Sequence, residues 1–250
     1  MRFVSATATG LALAGAMSLA QLHAQQTTPQ TTTAKPAPMQ MQDTSRKVTG
    51  GGITAPGWQG KVDANEAGKG AKIEDSKVVL KGTEIQINNG PAAVYWNPAN
   101  KAAGNYTVSA TFTEPKYMSS NDHPHPYGLF IGGNKLDTDQ ATLLYCTPYG
   151  NGTFIVRGFG PAPFRVTAGG RGTPSDAVHK AETGGSVTQE VAWVVTADKA
   201  ECKINGTVVG SYPKSDLVAP GKLESLDGVA GLRIAHNVDV NGTDFKVTKQ

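Results

Sequence analysis

Residues 105–113 read NYTVSATFT, and within them Tyr106, Val108, Ala110 and Phe112 alternate with Thr107, Ser109, Thr111 and Thr113. A period of two, with apolar side chains on one side and hydroxyls on the other, is the pattern of a half-buried strand, because successive Cβ atoms point to opposite faces. A helix would scatter the same residues around its circumference. TEIQIN (83–88) and TDFKVT (243–248) repeat the pattern more briefly, and no amphipathic helix of useful length is present. A chain of this kind must bury itself strand against strand.

The turn chemistry agrees. Asn-Gly occurs at Asn89-Gly90, Asn151-Gly152, Asn205-Gly206 and Asn241-Gly242, each beside a strand-like run. Both residues tolerate positive φ, which two-residue hairpin turns demand. ATLLYCTPYGNGTFIVRGF (141–159) and KAECKINGTVVGSY (199–212) therefore read as hairpins. YGLFIGG (127–133), ATLLYC (141–146) and EVAWVV (190–195) are apolar on both faces. Such strands lie centrally in a sheet covered on both sides, or use one face to line a ligand groove. Many short strands with regular turn signals predict an all-β, two-sheet antiparallel sandwich or jelly roll.

The first 24 residues carry Arg2, an apolar and small-residue run, and a close on Leu22-His23-Ala24. They are expected to be a signal peptide rather than a retained anchor, and no cysteine follows that would take a lipid. Residues 25–52 are rich in Thr, Gln and Pro and hold almost no branched apolar residues, which predicts a disordered linker. Residues 53–250 remain for a single β-sandwich domain. No later segment reaches the ~20 apolar residues that span a bilayer. The expected destination is outside the cytoplasm, periplasmic or secreted.

The overall charge of +3 comes from the leader and linker. Of 23 basic and 20 acidic residues, Arg2, Lys35, Arg46, Lys47 and Asp43 precede residue 53, which leaves 19 of each sign in the domain. A neutral domain without basic clusters lacks the electrostatic footprint of a nucleic-acid binder. Cys146 and Cys202 are the only cysteines. An even count in an exported chain favours a disulfide. Cys202 also alternates with Ala200 and Ile204, as an inert core thiol would.

Four segments in this order, GNYTVSATF, YGLFIGG, VTQEVAWVVTADKAECKINGTVVGSY and DGVAGLRIAHNVDVNGTDFKVTK, carry a family likeness. They resemble the concanavalin A-like jelly-roll superfamily, in particular the laminin-G-like branch that includes bacterial 3-keto-disaccharide hydrolase domains. Gly128-Leu129-Phe130 matches that branch's Ser-Gly-aliphatic run in part. Trp193 with Ile204-Asn205-Gly206 matches its Trp strand and Asn-Gly hairpin, and Gly231-Leu232 with Phe245-Lys246-Val247 its closing strands. The resemblance implies a jelly roll with saccharide ligands. His236 falls near a position where the family often carries histidine. Where the family places an Arg after the first run and a Glu and Gln on the next strand, this chain has Ile131-Gly132-Gly133 and Leu143-Leu144-Tyr145-Cys146.

Candidate sites follow from side-chain chemistry. Tyr145, Tyr149, Phe159 and Trp193 lie on or beside the two-sided strands, with Arg157 and Arg233 on neighbouring segments. A sugar offers a C–H face to an aromatic ring and hydroxyls to polar groups, and binding sites combine the two. Tyr145, Arg157, Trp193 and Arg233 are accordingly the expected ligand-binding residues; for a strand aromatic the alternative is a place in the core. His123 and His125, each followed by Pro, are held extended, so positions i and i+2 face one side. With Asp122 and His236 they would offer the N and O ligands that zinc or a comparable divalent metal takes. The alternative is a stiff loop entering the strand at Tyr127, with no cofactor. Residues 166–188 form a Gly-rich loop with Arg171, Asp176 and His179, read as a flexible insertion or a binding lid. Asp122 and Glu190 offer a carboxylate pairing for glycoside hydrolysis.

These features predict an exported, lectin-like module that binds a saccharide or polysaccharide without altering it. A hydrolase acting on glycosides or 3-keto-disaccharides, with His123, His125 or His236 on a metal or as base, is the first alternative. A structural envelope protein is the second. Oligomeric state and ligand identity are not set by the sequence.

Overall fold

The structure is a computed structural model and describes residues 44–168, 170 and 172–250. The expected signal peptide, the first part of the linker and Arg171 lie outside the described residues.

In chain order the described strands begin with β1 (Gly52–Ile53) and β2 (Gln59–Val62), followed by the short helix α1 (Ala64–Ala67). β3 (Lys77–Lys81), β4 (Glu84–Asn88), β5 (Ala93–Ala102) and β6 (Tyr106–Glu114) come next. β7 (Tyr127–Asn134), β8 (Thr142–Pro148) and β9 (Thr153–Phe159) precede two-residue strands β10 (Phe164–Arg165) and β11 (Thr173–Pro174). β12 (Val187–Val195), β13 (Lys199–Ile204), β14 (Thr207–Pro213), helix α2 (Lys214–Leu217), β15 (Gly228–Ile234) and β16 (Asp239–Lys249) complete the domain.

These strands form two sheets. One runs β1-β3-β4-β16-β6-β12-β13-β14 and the other β10-β9-β8-β7-β15-β5-β2, with β11 added alongside β9. Every pairing is antiparallel except β1 with β3. Sequential neighbours are repeatedly separated between the sheets, as in a jelly roll. The expected all-β sandwich is the fold.

β6 shows why. Tyr106, Val108, Ala110 and Phe112 are buried between the sheets while Thr107, Thr111 and Thr113 are half-buried on the outer face. Trp193, Tyr95, Tyr127, Leu129 and Ile204 join them in the same core. The polar ends of Tyr95 and Trp193 are satisfied: the Tyr95 hydroxyl donates to Asn89 Oδ1 at 2.5 Å and Trp193 Nε1–H donates to the Leu129 carbonyl at 3.2 Å. Such a partner offsets the cost of burying a ring's polar tip.

The two expected hairpins form. Asn205 (φ 47°) and Gly206 (φ 80°) make the tight turn between β13 and β14, and Asn151-Gly152 lies in the β8–β9 connection. The other Asn-Gly pairs are not hairpins. Asn241-Gly242 runs inside β16, which pairs with both β4 and β6. Asn89 is fully buried and donates to the Pro91 and Ala235 carbonyls, 2.7 Å each. Gly90 beside it admits no side chain: a Cβ there would meet the Arg46 carbonyl at 2.4 Å and that of Asp75 at 2.3 Å. The dipeptide signals positive φ or close approach, and only tertiary context separates them.

That close approach involves residues expected in the disordered linker. Residues 44–52 lie along the domain instead. Arg46 N–H donates to Asn237 Oδ1 (2.7 Å), its Nε to the Asn89 carbonyl (3.0 Å) and its Nη1 to Ser120 Oγ (2.8 Å), and its guanidinium pairs with Asp239. Val48 N–H adds a bond to the Asp75 carbonyl at 2.9 Å, and β1 begins at Gly52. A segment poor in apolar residues is ordered here by polar contacts, which a burial argument does not register.

Cys146 on β8 and Cys202 on β13 are joined by a disulfide across the two sheets, with Cα atoms 6.3 Å apart. Within the Gly-rich region 166–188, residues 173–180 are pinned rather than free. β11 pairs with β9, Asn151 bridges to Lys180, and Val178 is buried. Among the described residues, no helix is long and apolar enough to cross a membrane.

Candidate functional site

The strand period sends Leu144 and Cys146 of β8, and Phe154 and Val156 of β9, into the inter-sheet core. Leu143, Tyr145 and Ile155 point to the other face of the same sheet, where they cluster with Val94 and Trp96 of β5, Phe130 of β7 and Leu136. The sheet β10-β9-β8-β7-β15-β5-β2 is thus apolar on both faces, as the unalternating sequences of β7 and β8 predict. Its outer layer floors a cleft of about 750 Å³, bordered by residues from 136–141 and 160–165. That volume falls within the ~300–1,000 Å³ range of small-ligand sites.

Three of the four expected ligand-binding residues, Tyr145, Arg157 and Arg233, line this cleft. Tyr145 stands directly across from Arg157 in the β8–β9 register, and its ring lies 5.8 Å from that of Phe159. Arg233, from β15, is buried, with its guanidinium 5.3 Å from the ring centroids of both Tyr145 and Phe159. This is within cation–π range. Its Nη1 and Nη2 donate to the two carboxylate oxygens of Asp63 at 2.5 and 2.6 Å. Burial alone would pull the Arg233 pKa down; the Asp63 carboxylate, with Tyr145 and Glu66, more than offsets this and holds it above its ordinary value. The guanidinium stays charged. Asp63 immediately precedes α1 but does not cap it with its side chain; the carboxylate is committed to Arg233.

The fourth expected residue, Trp193, is not in the cleft. It is fully buried in the inter-sheet core beneath Leu129. On β12, Val191, Trp193 and Val195 share the inward face while Ala192 and Val194 face out. Both faces are apolar in sequence, so periodicity does not say which is inside.

Residues at the cleft that sequence reasoning did not single out are Lys61, Asp63, Asp139, Phe164 and Arg165. Lys61 stands beside Val94, itself the register partner of Arg233, and its Nζ donates to the Thr138 carbonyl and lies 3.6 Å from Asp139. Arg165 is the register partner of Arg157 across β10 and β9. No local motif marks these residues; they meet because strands distant in sequence are neighbours in the sheet.

The histidines come together elsewhere. His123 and His125 sit on the β6–β7 connection and His236 just after β15. His125 Nδ1–H donates to the His236 carbonyl at 2.6 Å, and His125 Nε2 lies 2.9 Å from His123 Nε2. His123 Nδ1 is 2.6 Å from Asp122 Oδ1. This partner is the leading reason the Asp122 pKa is lowered. The His236 ring stacks on His125, centroids 4.1 Å apart at 18°. Both His125 nitrogens are engaged, Nδ1 with the His236 carbonyl and Nε2 with His123. Among the described residues, no group of three or more His, Cys, Asp or Glu side chains is arranged to hold a metal ion. The three histidines are thus drawn together by hydrogen bonds and stacking on the loop that enters β7, away from the cleft.

The remaining candidates are also placed by structure. His179 Nδ1 lies 2.8 Å from the Thr188 carbonyl, and its backbone N–H donates to Gln189 Oε1. Glu190 lies on the outer face of the other sheet, with Thr107, Ser109 and Lys203. It shares no site with Asp122.

No family model matches this sequence, and no curated protein matches it. Among solved structures, the chain is similar to the carbohydrate-binding module CBM66 from Bacillus subtilis, at 11% identity and a TM-score of 0.49, covering 79% of this chain and 99% of that one. It is similar to a protein of unknown function with a galectin-like fold from Bacillus subtilis at 12% identity and a TM-score of 0.48, covering 77% and 89% respectively. A Trypanosoma rangeli sialidase matches at 16% identity and a TM-score of 0.40, over 69% of this chain but only 26% of that one.

Proposed function

We propose that this protein binds a saccharide in the cleft on the outer face of the β10-β9-β8-β7-β15-β5-β2 sheet and leaves it chemically unchanged. The observation that carries the reading is the site's composition. Tyr145 and Phe159 supply apolar ring surface, Arg157 and Lys61 supply donors beside it, and the Asp63-bound Arg233 holds the two rings from below. Rings for C–H faces and fixed donors for hydroxyls are what a sugar requires.

The cleft is poorly equipped for glycoside hydrolysis. That reaction in most enzymes uses two carboxyl groups, one of them free to give up a proton to the leaving oxygen. Of the two carboxylates lining the cleft, Asp63 has both oxygens on Arg233, and Asp139 is fully exposed at the rim beside Lys61. The Cys146–Cys202 bond supports placing the protein outside the cytoplasm, where such bonds persist.

The test is to incubate the purified protein with a panel of soluble polysaccharides and keto-sugar glycosides, reading bound ligand and released products in one chromatographic run. Retained ligand with no products is the expected result. Products would make the protein an enzyme, and no retention of any saccharide would remove the saccharide reading.

A further inference from the structure

Four cationic side chains line the cleft, Lys61, Arg157, Arg165 and Arg233, against the two carboxylates Asp63 and Asp139. Asp63 is consumed by Arg233, and Asp139 stands nearest Lys61. Arg157 and Arg165 are left. They are Cα partners across β9 and β10, so their side chains leave the sheet on the same face, directly opposite one another. Among the described residues neither makes an ion pair, and the Arg157 bond shown is from Nη2 to the Gly170 carbonyl at 3.1 Å. Like charges directly opposite on a sheet destabilise it. Two guanidiniums opposite one another on the lining of a cleft offer an anion many N–H donors, since the guanidinium fork matches a carboxylate in two-point fashion.

We infer that the saccharide bound in this cleft is acidic, and that Arg157 and Arg165 together hold its carboxylate while Tyr145 and Phe159 pack against the sugar ring. The inference rests on the saccharide reading above and narrows it to uronate-type polymers. Arg233 does not take this role: its two terminal nitrogens are held by Asp63, and it serves as the charged floor that polarises the site and fixes the two rings. The domain as a whole is neutral, so the preference comes from local placement and not from a general field.

The test uses oligogalacturonate and its fully methyl-esterified form, which has the same sugar ring and linkage without the charge, together with a neutral glucan. Binding is measured by calorimetry at low and high salt, on the wild type and on Arg157→Gln and Arg165→Gln. Arg165 is exposed, so its substitution leaves the fold intact. The acid form is expected to bind at least about tenfold tighter than the ester, to weaken as salt rises, and to lose about tenfold with either substitution. Equal affinity for acid and ester, or preference for a neutral glucan, overturns the inference while the saccharide reading stands. Acid binding that neither substitution weakens also overturns it, because the charge is then read elsewhere. Absence of binding to every saccharide overturns both.

Discussion

Asp63 and Arg233, 170 residues apart in sequence, meet through two parallel hydrogen bonds at the floor of the cleft. Both are largely shielded from water, with side chains 15% and 10% exposed. Such a pair is easier to break than to replace. Asp63→Asn is expected to leave Arg233 charged and uncompensated and to cost about 3–5 kcal/mol in urea unfolding. Pairing it with Arg233→Met should recover much of that loss, because the guanidinium that needed a partner is gone. A single substitution costing under about 1 kcal/mol would show that water reaches the pair.

The cross-sheet disulfide closes a segment of 56 residues. In the chain-entropy treatment that corresponds to roughly 4 kcal/mol. Cys146→Ser with Cys202→Ser is therefore expected to lower the unfolding free energy by about 3–4 kcal/mol with the fold retained. Free-thiol labelling of the unfolded wild-type protein provides the direct check; two reactive thiols would mean the bond is absent.

Glu114 lies at the end of β6, 5% exposed, and accepts a bond from Met118 N–H at 3.3 Å. Burial pushes its pKa up to about 7; the Met118 N–H and the Tyr127 hydroxyl oppose the shift, and Asp239 adds to it. A carboxyl whose pKa is raised on folding binds its proton more tightly in the native state than in the unfolded chain. Stability is then highest while both states are protonated, falls as pH rises from the ordinary carboxylate value of 4.5 toward 7, and stays lower above that. Glu114→Gln should be near neutral at low pH and stabilising by about 1–3 kcal/mol at mildly alkaline pH. A difference that does not change with pH would contradict this account.

Trp193→Ala is expected to cost about 3–5 kcal/mol through the cavity left between the sheets, with the lost bond to Leu129 included. Trp193→Phe should cost less and leave saccharide binding unchanged. Loss of binding at unchanged stability would return Trp193 to the site.

Removing the Arg46 side chain breaks its contacts with Asn89, Ser120 and Asp239 together. Arg46→Ala should lower stability by about 1–2 kcal/mol and make residues 44–52 markedly more susceptible to limited proteolysis. Unaltered cleavage would mean that β1 and Val48 hold the segment unaided.

The fold was legible where chemistry is local. NYTVSATFT gives β6 and its inward face, and the hairpins at 151–152 and 205–206 follow from positive-φ residues between strand-like runs. Tyr145, Arg157 and Arg233 could be named because they sit on or beside strands apolar on both faces. Asp63, Lys61 and Arg165 could not, since their roles depend on which distant strands become neighbours. Arg165 lies on a strand of two residues, too short for any period. Trp193 was misplaced for a related reason: with apolar residues on both sides of β12, orientation is decided by the opposing sheet. Arg46 was missed because polar clamps leave no hydrophobic trace.

Tyr145 and Cys146 are consecutive residues, and the pleat sends one ring into the cleft and one sulfur into the core. The floor of the cleft is therefore one peptide unit from a covalent tie to the opposite sheet. A ligand that tried to displace β8 would have to drag β13 with it. On the proposed reading, the cleft is a template of fixed shape, whose ordering is completed when the chain folds and oxidises rather than when ligand arrives. Selectivity at such a surface comes from rejecting what does not fit, and the rate at which ligand leaves, more than any closing motion, governs how long it stays.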